Sequence, residues 1–189
     1  MNPDVERELV RKCRGGDPRF YEPLVRAYEP KGLRLALGMM GNMDDAQDAL
    51  QEAFVKAFRS LGRFDVNRSF GPWFFQILRN QCRDLLRSRK SRFTVEVLDE
   101  TSFGHRADEG PGSTQRHRER SEARRLLWKG LEQVPDEHRE VLVLKELQGL
   151  RYQEIATILD IPEGTVASRL YHARRALKDA LEAVGADYP

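Results

Sequence analysis

The fold of this chain is decided by residues 150–178, LRYQEIATILDIPEGTVASRLYHARRALK. Apolar residues in this stretch recur every three or four positions, which predicts two helices. The first, Tyr152 to Leu159, is too short to be stable alone. Pro162 falls in the first turn of the second, where its missing N–H costs nothing. The pattern therefore predicts two helices that pack on each other through a tight turn.

The second helix of this pair has an apolar side and a basic side. Its apolar positions are Val166, Leu170, Ala173, Leu177 and Leu181. At about 100° per residue, the other side carries Thr165, Ser168, Arg169, Tyr171, His172 and Arg175. From Gly164 to Lys178 there are four Lys or Arg and no Asp or Glu. Such donors suit phosphates and purine edges in the DNA major groove. We therefore predict a DNA-binding helix-turn-helix; the alternative is an ordinary solvated basic helix.

Length and composition restrict the class of protein. The 189 residues have room for one large or two small domains, and 40% hydrophobic residues are enough for compact cores. The net charge is only +2, so affinity for nucleic acid must come from local segregation of charge. No apolar run predicts membrane insertion, and the N-terminus does not resemble a secretory signal. Cys13 and Cys82 belong to no metal-binding spacing. We expect a cytoplasmic protein without a metal or other cofactor.

Helical spacing continues over nearly the whole chain, and no alternating run suggests a sheet. It predicts an all-α protein with two small helical domains, residues 1–92 and 119–189. Between them, residues 93–118 lose the apolar pattern and become rich in Gly, Pro, Ser and charge. Too little apolar surface is available there to offset the entropy of ordering, which predicts a flexible linker. In the first domain we expect helices near Pro3–Arg14, Pro18–Met40, Met43–Leu61 and Pro72–Arg89.

An acidic stripe follows the helix predicted from Met43 to Leu61. Asp44, Asp48 and Glu52 recur at intervals of four, with Gln51 beside them. Like charges at this spacing repel by a few tenths of a kcal/mol, offset in part by the positive N-terminus of the helix. The stripe is either a solvated face or a docking surface for a basic partner. Catalysis is disfavoured because the sequence indicates no histidine, metal ligand or cleft beside it.

Residues 72–90, PWFFQILRNQCRDLLRSRK, combine aromatic and basic side chains. Between Arg79 and Arg92 there are six Lys or Arg and one acid, Asp84. The preceding loop, residues 62–70, mixes aromatic and hydrogen-bonding residues. Aromatic rings stack on unpaired bases while cations follow the phosphates. The loop and the basic ridge of the helix, which consists of Arg79, Arg83, Arg87 and Lys90, therefore favour single-stranded nucleic acid. Trp73, Phe74 and Phe75 are better explained as core residues.

Taken in order, these segments resemble an extracytoplasmic-function (ECF) sigma factor of the bacterial sigma-70 family. The resemblance is carried by DDAQDALQEAFVKAF (44–58), FGPWFFQILRNQCRDLLRSRK (70–90) and LRYQEIATILDIPEGTVASRLYHARRAL (150–177). They are similar to sigma regions 2.1–2.2, 2.3–2.4 and 4.2. The resemblance implies a region 2 domain over residues 1–92, for core polymerase binding and for recognition and melting of the −10 element. It implies a region 4 domain over residues 119–189, for recognition of the −35 element.

The same resemblance implies roles for individual residues and partners. The polymerase-binding surface would comprise Asp45, Asp48, Gln51, Glu52 and Phe54. The −10 DNA would be contacted by Phe64, Asn67, Arg68, Arg79, Asn80, Arg83, Asp84 and Arg87. The −35 DNA would be contacted by Thr165, Ser168, Arg169, Tyr171, His172 and Arg175. The implied partners are RNA polymerase core, through the β′ clamp coiled coil and the β flap, promoter DNA and an anti-sigma factor. We expect the free protein to be a monomer.

The function implied is promoter-specific transcription initiation driven by binding energy, without enzymatic activity. A conventional helix-turn-helix regulator is the alternative; it would be a dimer reading two half-sites about one helical turn apart. It would leave the acidic stripe without a role. An enzyme acting on nucleic acid would need a carboxylate cluster or a nucleophile at the basic face, and Asp84 alone is not a two-metal site.

Overall fold

The computed structural model describes residues 1–15, 17–93 and 115–183, and every regular element in these ranges is helical. The first half contains α1 (Pro3–Arg14), α2 (Tyr21–Met40), α3 (Met43–Ser60) and α4 (Phe70–Phe93), with 3-10 turns at Pro18–Phe20 and Leu61–Arg63. The second half contains α5 (Gln115–Gln133), α6 (Asp136–Leu142), α7 (Tyr152–Leu159) and α8 (Glu163–Ala183). A π-helical turn, Val143–Leu147, extends α6. None of the described helices is long and apolar enough to span a lipid bilayer.

The all-α class predicted from the sequence is confirmed, and the predicted bounds of α1 and α7 match the structure. Other helix ends differ. Helix α4 extends beyond its predicted ends on both sides. Helix α5 begins at Gln115, so residues 115–118 of the predicted linker are helical. Gln and Arg are good helix formers, and they lengthen a helix whose C-terminal half is fixed by packing. The remainder of the predicted linker, residues 94–114, lies outside the described residues.

The first half is a bundle of α2, α3 and α4 around a core of aromatic and aliphatic side chains. The rings of Phe54 and Phe74 stack with centroids 4.5 Å apart, and Phe70 lies 5.9 Å from Phe74. Helices α2 and α3 approach closely at Gly32, where a Cβ atom would lie 2.5 Å from Cδ1 of Leu50. All four alanines of α3 are buried. The spacing of apolar residues predicts one stripe along α3: Ala46, Ala49, Leu50, Ala53, Phe54, Ala57, Phe58 and Leu61. This stripe lies in the core, apart from the half-exposed Phe58.

A buried carboxylate ties α1 to this bundle. Glu6 is 8% exposed, and its Oε1 accepts a hydrogen bond of 2.8 Å from the backbone N–H of Phe70, the first residue of α4. Its Oε2 accepts a hydrogen bond from the hydroxyl of Tyr28 on α2. The first N–H groups of a helix have no partner within the helix, and a negative charge there is favourable. Burial, with a smaller contribution from Glu6, raises the pKa of Tyr28, so this hydroxyl stays protonated and donates.

Helices α7 and α8 form the predicted helix-turn-helix. Glu154 accepts a hydrogen bond of 2.8 Å from the backbone N–H of Arg151, which caps the start of α7. The helix ends at Asp160 in the left-handed conformation (φ 55°), which short polar residues tolerate better than most. Helix α8 follows after two residues and buries Val166, Leu170, Ala173 and Leu181, as its spacing predicted.

The two halves pack against each other. Helices α2 and α4 contact α6, its π-helical extension and α7, and one continuous cluster of buried residues runs through both halves. The closest approach is at Gly38 of α2, where a Cβ atom would lie 2.7 Å from both methyl carbons of Val143. This arrangement decides which face of α4 remains open to solvent.

Glu6→Ala should destabilise the protein by about 2 kcal/mol, because it removes the cap of α4 and leaves the Tyr28 hydroxyl without its acceptor. Urea unfolding followed by circular dichroism measures this change. The control is Glu8→Ala on the same helix, an exposed residue whose loss should change the free energy of unfolding by less than about 0.5 kcal/mol. Equal effects of the two substitutions would contradict the capping role.

Candidate functional site

An exposed face of α3 combines acidic and apolar side chains. Asp48, Gln51 and Glu52 are exposed, as expected for a docking surface. Val55 and Phe58, each 42% exposed, continue this face toward the C-terminal end of the helix. We refer to these five residues as the α3 face. Carboxylates beside exposed apolar groups suit a basic partner that also buries apolar surface.

Two residues predicted to belong to binding surfaces lie elsewhere. Phe54, predicted to contact polymerase, is 9% exposed and stacks on Phe74. Phe64, predicted to contact −10 DNA, is 5% exposed and packs on Trp73 at 4.6 Å. The burial of Phe74 and Phe75 agrees with the prediction that they are core residues. Burying these two rings in the aromatic core is more favourable than leaving them in water. Phe54 and Phe64 therefore support the predicted binding surfaces from the protein interior.

Asp45 is also less available than expected. It lies in the first turn of α3, where Asn42 caps the helix by accepting a hydrogen bond of 2.9 Å from the Asp45 backbone N–H. The Asp45 side chain is 17% exposed and forms an ion pair with Arg89 on α4. Asp45 thus links α3 to α4, whereas Asp48 and Glu52 point into solvent.

The loop before α4 presents polar groups above the buried ring of Phe64. Asn67 and Arg68 are exposed. The Asp65 side chain accepts hydrogen bonds from both the backbone N–H and the side-chain amide of Asn67, at 3.0 and 3.1 Å. These bonds hold the turn in shape, so Asn67 and Arg68 extend from a preorganised loop.

The second half of the protein covers part of the basic ridge of α4. Asn80, Asp84 and Arg87 are exposed. Arg79 is 11% exposed and donates from Nε and Nη2 to Oε2 of Glu140 on α6, at 3.1 and 2.9 Å. Arg83 is 33% exposed and lies 3.7 Å from the other oxygen of Glu140. In this arrangement only the outer part of the predicted −10 surface faces solvent.

The outer face of α8 is largely open. Ser168, Tyr171, His172 and Arg175 are exposed, whereas Thr165 and Arg169 are half-buried. Two residues of α6 contact this face: the Glu137 carboxylate lies 2.5 Å from the Arg169 guanidinium, and the His138 ring stacks on His172 at 5.9 Å. Six donor side chains thus lie along one helix, and α6 orients two of them.

Glu137 and Glu140 are functional residues that the sequence did not predict. The available clue was Glu140, a carboxylate four residues before Leu144 on a stripe that is otherwise apolar. An acid in a buried stripe requires a cationic partner. Sequence spacing cannot identify that partner, which is 61 residues earlier in the chain.

A second apolar surface lies between α5, the end of α6 and α8. It is an open groove of about 430 Å³. Its apolar lining consists of Leu127, Leu131, Leu142, Val143, Leu147, Leu177 and Leu181, with Glu146, Arg174 and Lys178 beside them. An apolar groove with charged side chains at its edge suits an amphipathic helix.

Both cysteines are buried thiols. Burial raises the pKa of Cys82 to about 12, and burial together with Asp17 raises the pKa of Cys13. The thiolate is the reactive form, so both residues are poor nucleophiles at neutral pH.

Comparison with known proteins identifies the family. The family model described as Sigma-70 region 2 matches residues 24–92, and the one described as Sigma-70, region 4 matches residues 124–177. The RNA polymerase sigma-H factor of Pseudomonas aeruginosa is 33% identical over 186 residues, which cover 96% of each chain. This chain belongs to the ECF sigma factors of the sigma-70 family. Its function is therefore that of an alternative sigma factor, which directs transcription initiation.

Other relatives support this family assignment. The ECF sigma factor SigW of Bacillus subtilis is 31% identical and covers 93% of this chain and 96% of its own. The sigma-E factor of Escherichia coli K12 is 30% identical, with 94% and 95% covered. Two solved structures share the fold at a TM-score of 0.69 and 24% identity. They are CnrH in complex with the cytosolic domain of CnrY (95% and 98% covered) and RpoE of Bartonella quintana in complex with the anti-sigma factor NepR (88% and 98%).

Phe64→Ala should destabilise this sigma factor by about 3 kcal/mol, because it removes a buried ring from the aromatic cluster. Arg68→Ala in the same loop should change the free energy of unfolding by less than about 0.5 kcal/mol. Urea denaturation of both variants checks the placement of Phe64. A Phe64 variant as stable as the wild type would mean that this ring faces solvent.

Glu137→Gln should raise the affinity for duplex DNA two- to fivefold and steepen the salt dependence by about one counterion, because it frees the Arg169 guanidinium for a phosphate. Fluorescence anisotropy at several salt concentrations measures both quantities. Glu122→Gln, which breaks an exposed pair with Arg125 on α5, is the matched control. Identical curves for the two variants would show that Glu137 does not compete with DNA.

Proposed function

We propose that this sigma factor binds RNA polymerase core through the α3 face and contacts the β′ clamp coiled coil with it. The observation that carries the proposal is the exposure of Asp48 and Glu52 beside Val55 and Phe58. The carboxylates repel one another, and the apolar groups remain in water. A basic, partly apolar partner relieves both costs. Asp45 contributes less than expected because it is bound to Arg89.

The two DNA surfaces follow from the same architecture. We assign −10 recognition to Asn67, Arg68, Asn80, Asp84 and Arg87, together with Arg79 and Arg83 once these are released from Glu140. Aromatic burial beneath the loop makes Phe64 a support for this surface. Recognition of the −35 element is assigned to Thr165, Ser168, Arg169, Tyr171, His172 and Arg175. Opening of the −10 duplex would use binding energy alone, so we propose no enzymatic activity. We propose the cytoplasm as the location of the protein, because polymerase and promoter DNA are found there.

The groove between α5 and α8 offers the second contact with polymerase. An amphipathic segment of the β flap suits its apolar lining and charged edge. An anti-sigma factor is proposed as a further partner, supported by the two related folds solved with CnrY and with NepR. We propose a monomer in the free state. The dimeric regulator is not favoured, because it leaves the α3 face without a partner.

Run-off transcription from a promoter pool with bacterial core polymerase tests the proposal. The wild type should produce defined start sites. The double variant Asp48→Lys, Glu52→Lys should reduce transcription at least tenfold, because juxtaposed like charges at an interface cost several kcal/mol. Circular dichroism should show that the variant remains folded, since both side chains are exposed.

The matched control changes the net charge by the same amount on other helices. It carries Glu8→Lys and Glu22→Lys, both exposed. This control should retain most of the transcription. Equal losses in the two double variants would show that overall charge, rather than the α3 face, governs core binding.

A further inference from the structure

The contact between the two halves contains a buried charged cluster. The Glu140 side chain is 4% exposed and lies between Arg79 and Arg83, with oxygen-to-nitrogen distances of 2.9 Å and 3.7 Å. Both arginines belong to α4 in the first half, whereas Glu140 belongs to α6 in the second. Burying a carboxylate is costly unless cations and hydrogen bonds compensate for the lost water. For Glu140 those cations are present only while the halves are together.

A second set of contacts holds the same interface without this cluster. Gly38 on α2 packs directly on Val143, with no space for a side chain between them. Arg139, next to Glu140, donates a hydrogen bond of 3.4 Å to the backbone carbonyl of Met39. Met39 and Met40 are themselves buried. The contact between the two halves therefore depends on close backbone packing as well as on charge.

The closed arrangement is incompatible with simultaneous use of both DNA surfaces. The −10 and −35 elements are centred about 25 base pairs apart, or roughly 85 Å along straight DNA. A packed chain of this length has a radius of gyration of about 16 Å and is therefore about 40 Å across. The 21 residues from 94 to 114, fully extended, could span up to about 70 Å. The halves must separate before both elements are bound.

We infer that Glu140 acts as an intramolecular latch that holds the free sigma factor closed and occupies Arg79 and Arg83 in place of −10 DNA. The inference rests on the proposed assignment of these arginines to DNA. The carboxylate offers the two guanidinium groups the same kind of acceptor as a phosphate. DNA and Glu140 therefore compete for Arg79 and Arg83. The affinity of the free protein for DNA is reduced to the extent that the closed form is populated.

Two variants test the charge and the packing of the contact between the halves separately. Glu140→Gln removes the charge and leaves the arginines without a counter-ion. Gly38→Ala keeps all charges but places a methyl group against Val143. Glu122→Gln removes an exposed carboxylate that pairs within α5, and serves as the control. Small-angle scattering gives the radius of gyration, and circular dichroism confirms that each variant keeps its helices.

Both interface variants should expand from a radius of gyration of about 16 Å to above about 20 Å. They should bind a fluorescein-labelled 12-nucleotide single-stranded DNA of mixed sequence about tenfold more tightly than the wild type. The control should match the wild type in both measurements. Changing Arg79 and Arg83 to Gln in the Glu140→Gln background should abolish the gain in affinity.

Unchanged size and affinity in both interface variants would overturn the latch. So would expansion without a gain in affinity, because the arginines would then be exposed and still inactive. If Glu140→Gln fails to fold, the size and DNA affinity of Gly38→Ala decide whether the latch stands. Run-off transcription with core polymerase distinguishes a failure of the latch from a failure of the proposed function. If the wild type directs initiation while the variants show neither expansion nor tighter binding, the proposed function stands and only the latch fails.

Discussion

The stacking of Phe54 on Phe74 is the contact on which the placement of the functional surfaces depends. It fixes the rotation of α3 and α4 about their axes, because each ring occupies the buried side of its helix. With Phe54 turned inward, Asp48 and Glu52 point outward on α3. With Phe74 turned inward, Arg79 points toward the second half of the protein. A single aromatic contact thus separates the face that we propose for core polymerase from the face that we propose for −10 DNA.

Helix α6 has an unusual position for so short an element. Its seven residues contact the basic side chains of both helices assigned to DNA, through Glu140 toward α4 and Glu137 toward α8. The first contact is buried and joins the two halves. The second is mostly exposed and lies within one half. Only the first depends on how the halves are arranged, so only it can couple domain arrangement to DNA binding.

Local periodicity was enough to predict the helices and their buried stripes, including Val166, Leu170 and Ala173 of α8. It also marked Asp48 and Glu52 as an exposed acidic pair. Periodicity placed Phe54 on the apolar stripe of α3, and only the family resemblance placed it on the polymerase surface. Periodicity could not decide whether Phe64 faces solvent or the core, because that depends on rings supplied by α4. Nor could it identify the partners of Glu140, which are distant in sequence. Residues 115–118 fall in the predicted linker because they lack apolar residues; their helix propensity extends α5 through them once packing fixes the C-terminal half of that helix.

The carboxylate of Glu6 has a consequence for where the first domain begins. The match to sigma-70 region 2 starts at Leu24, eighteen residues after Glu6. Yet α4, which carries residues that we assign to −10 DNA, begins at a backbone N–H whose acceptor is that carboxylate. A fragment starting at Leu24 would therefore contain all the residues matched by the region 2 model but would leave α4 uncapped. We therefore expect the folding unit to be longer than the recognisable sequence motif, with α1 as structural support for the residues that we assign to −10 DNA.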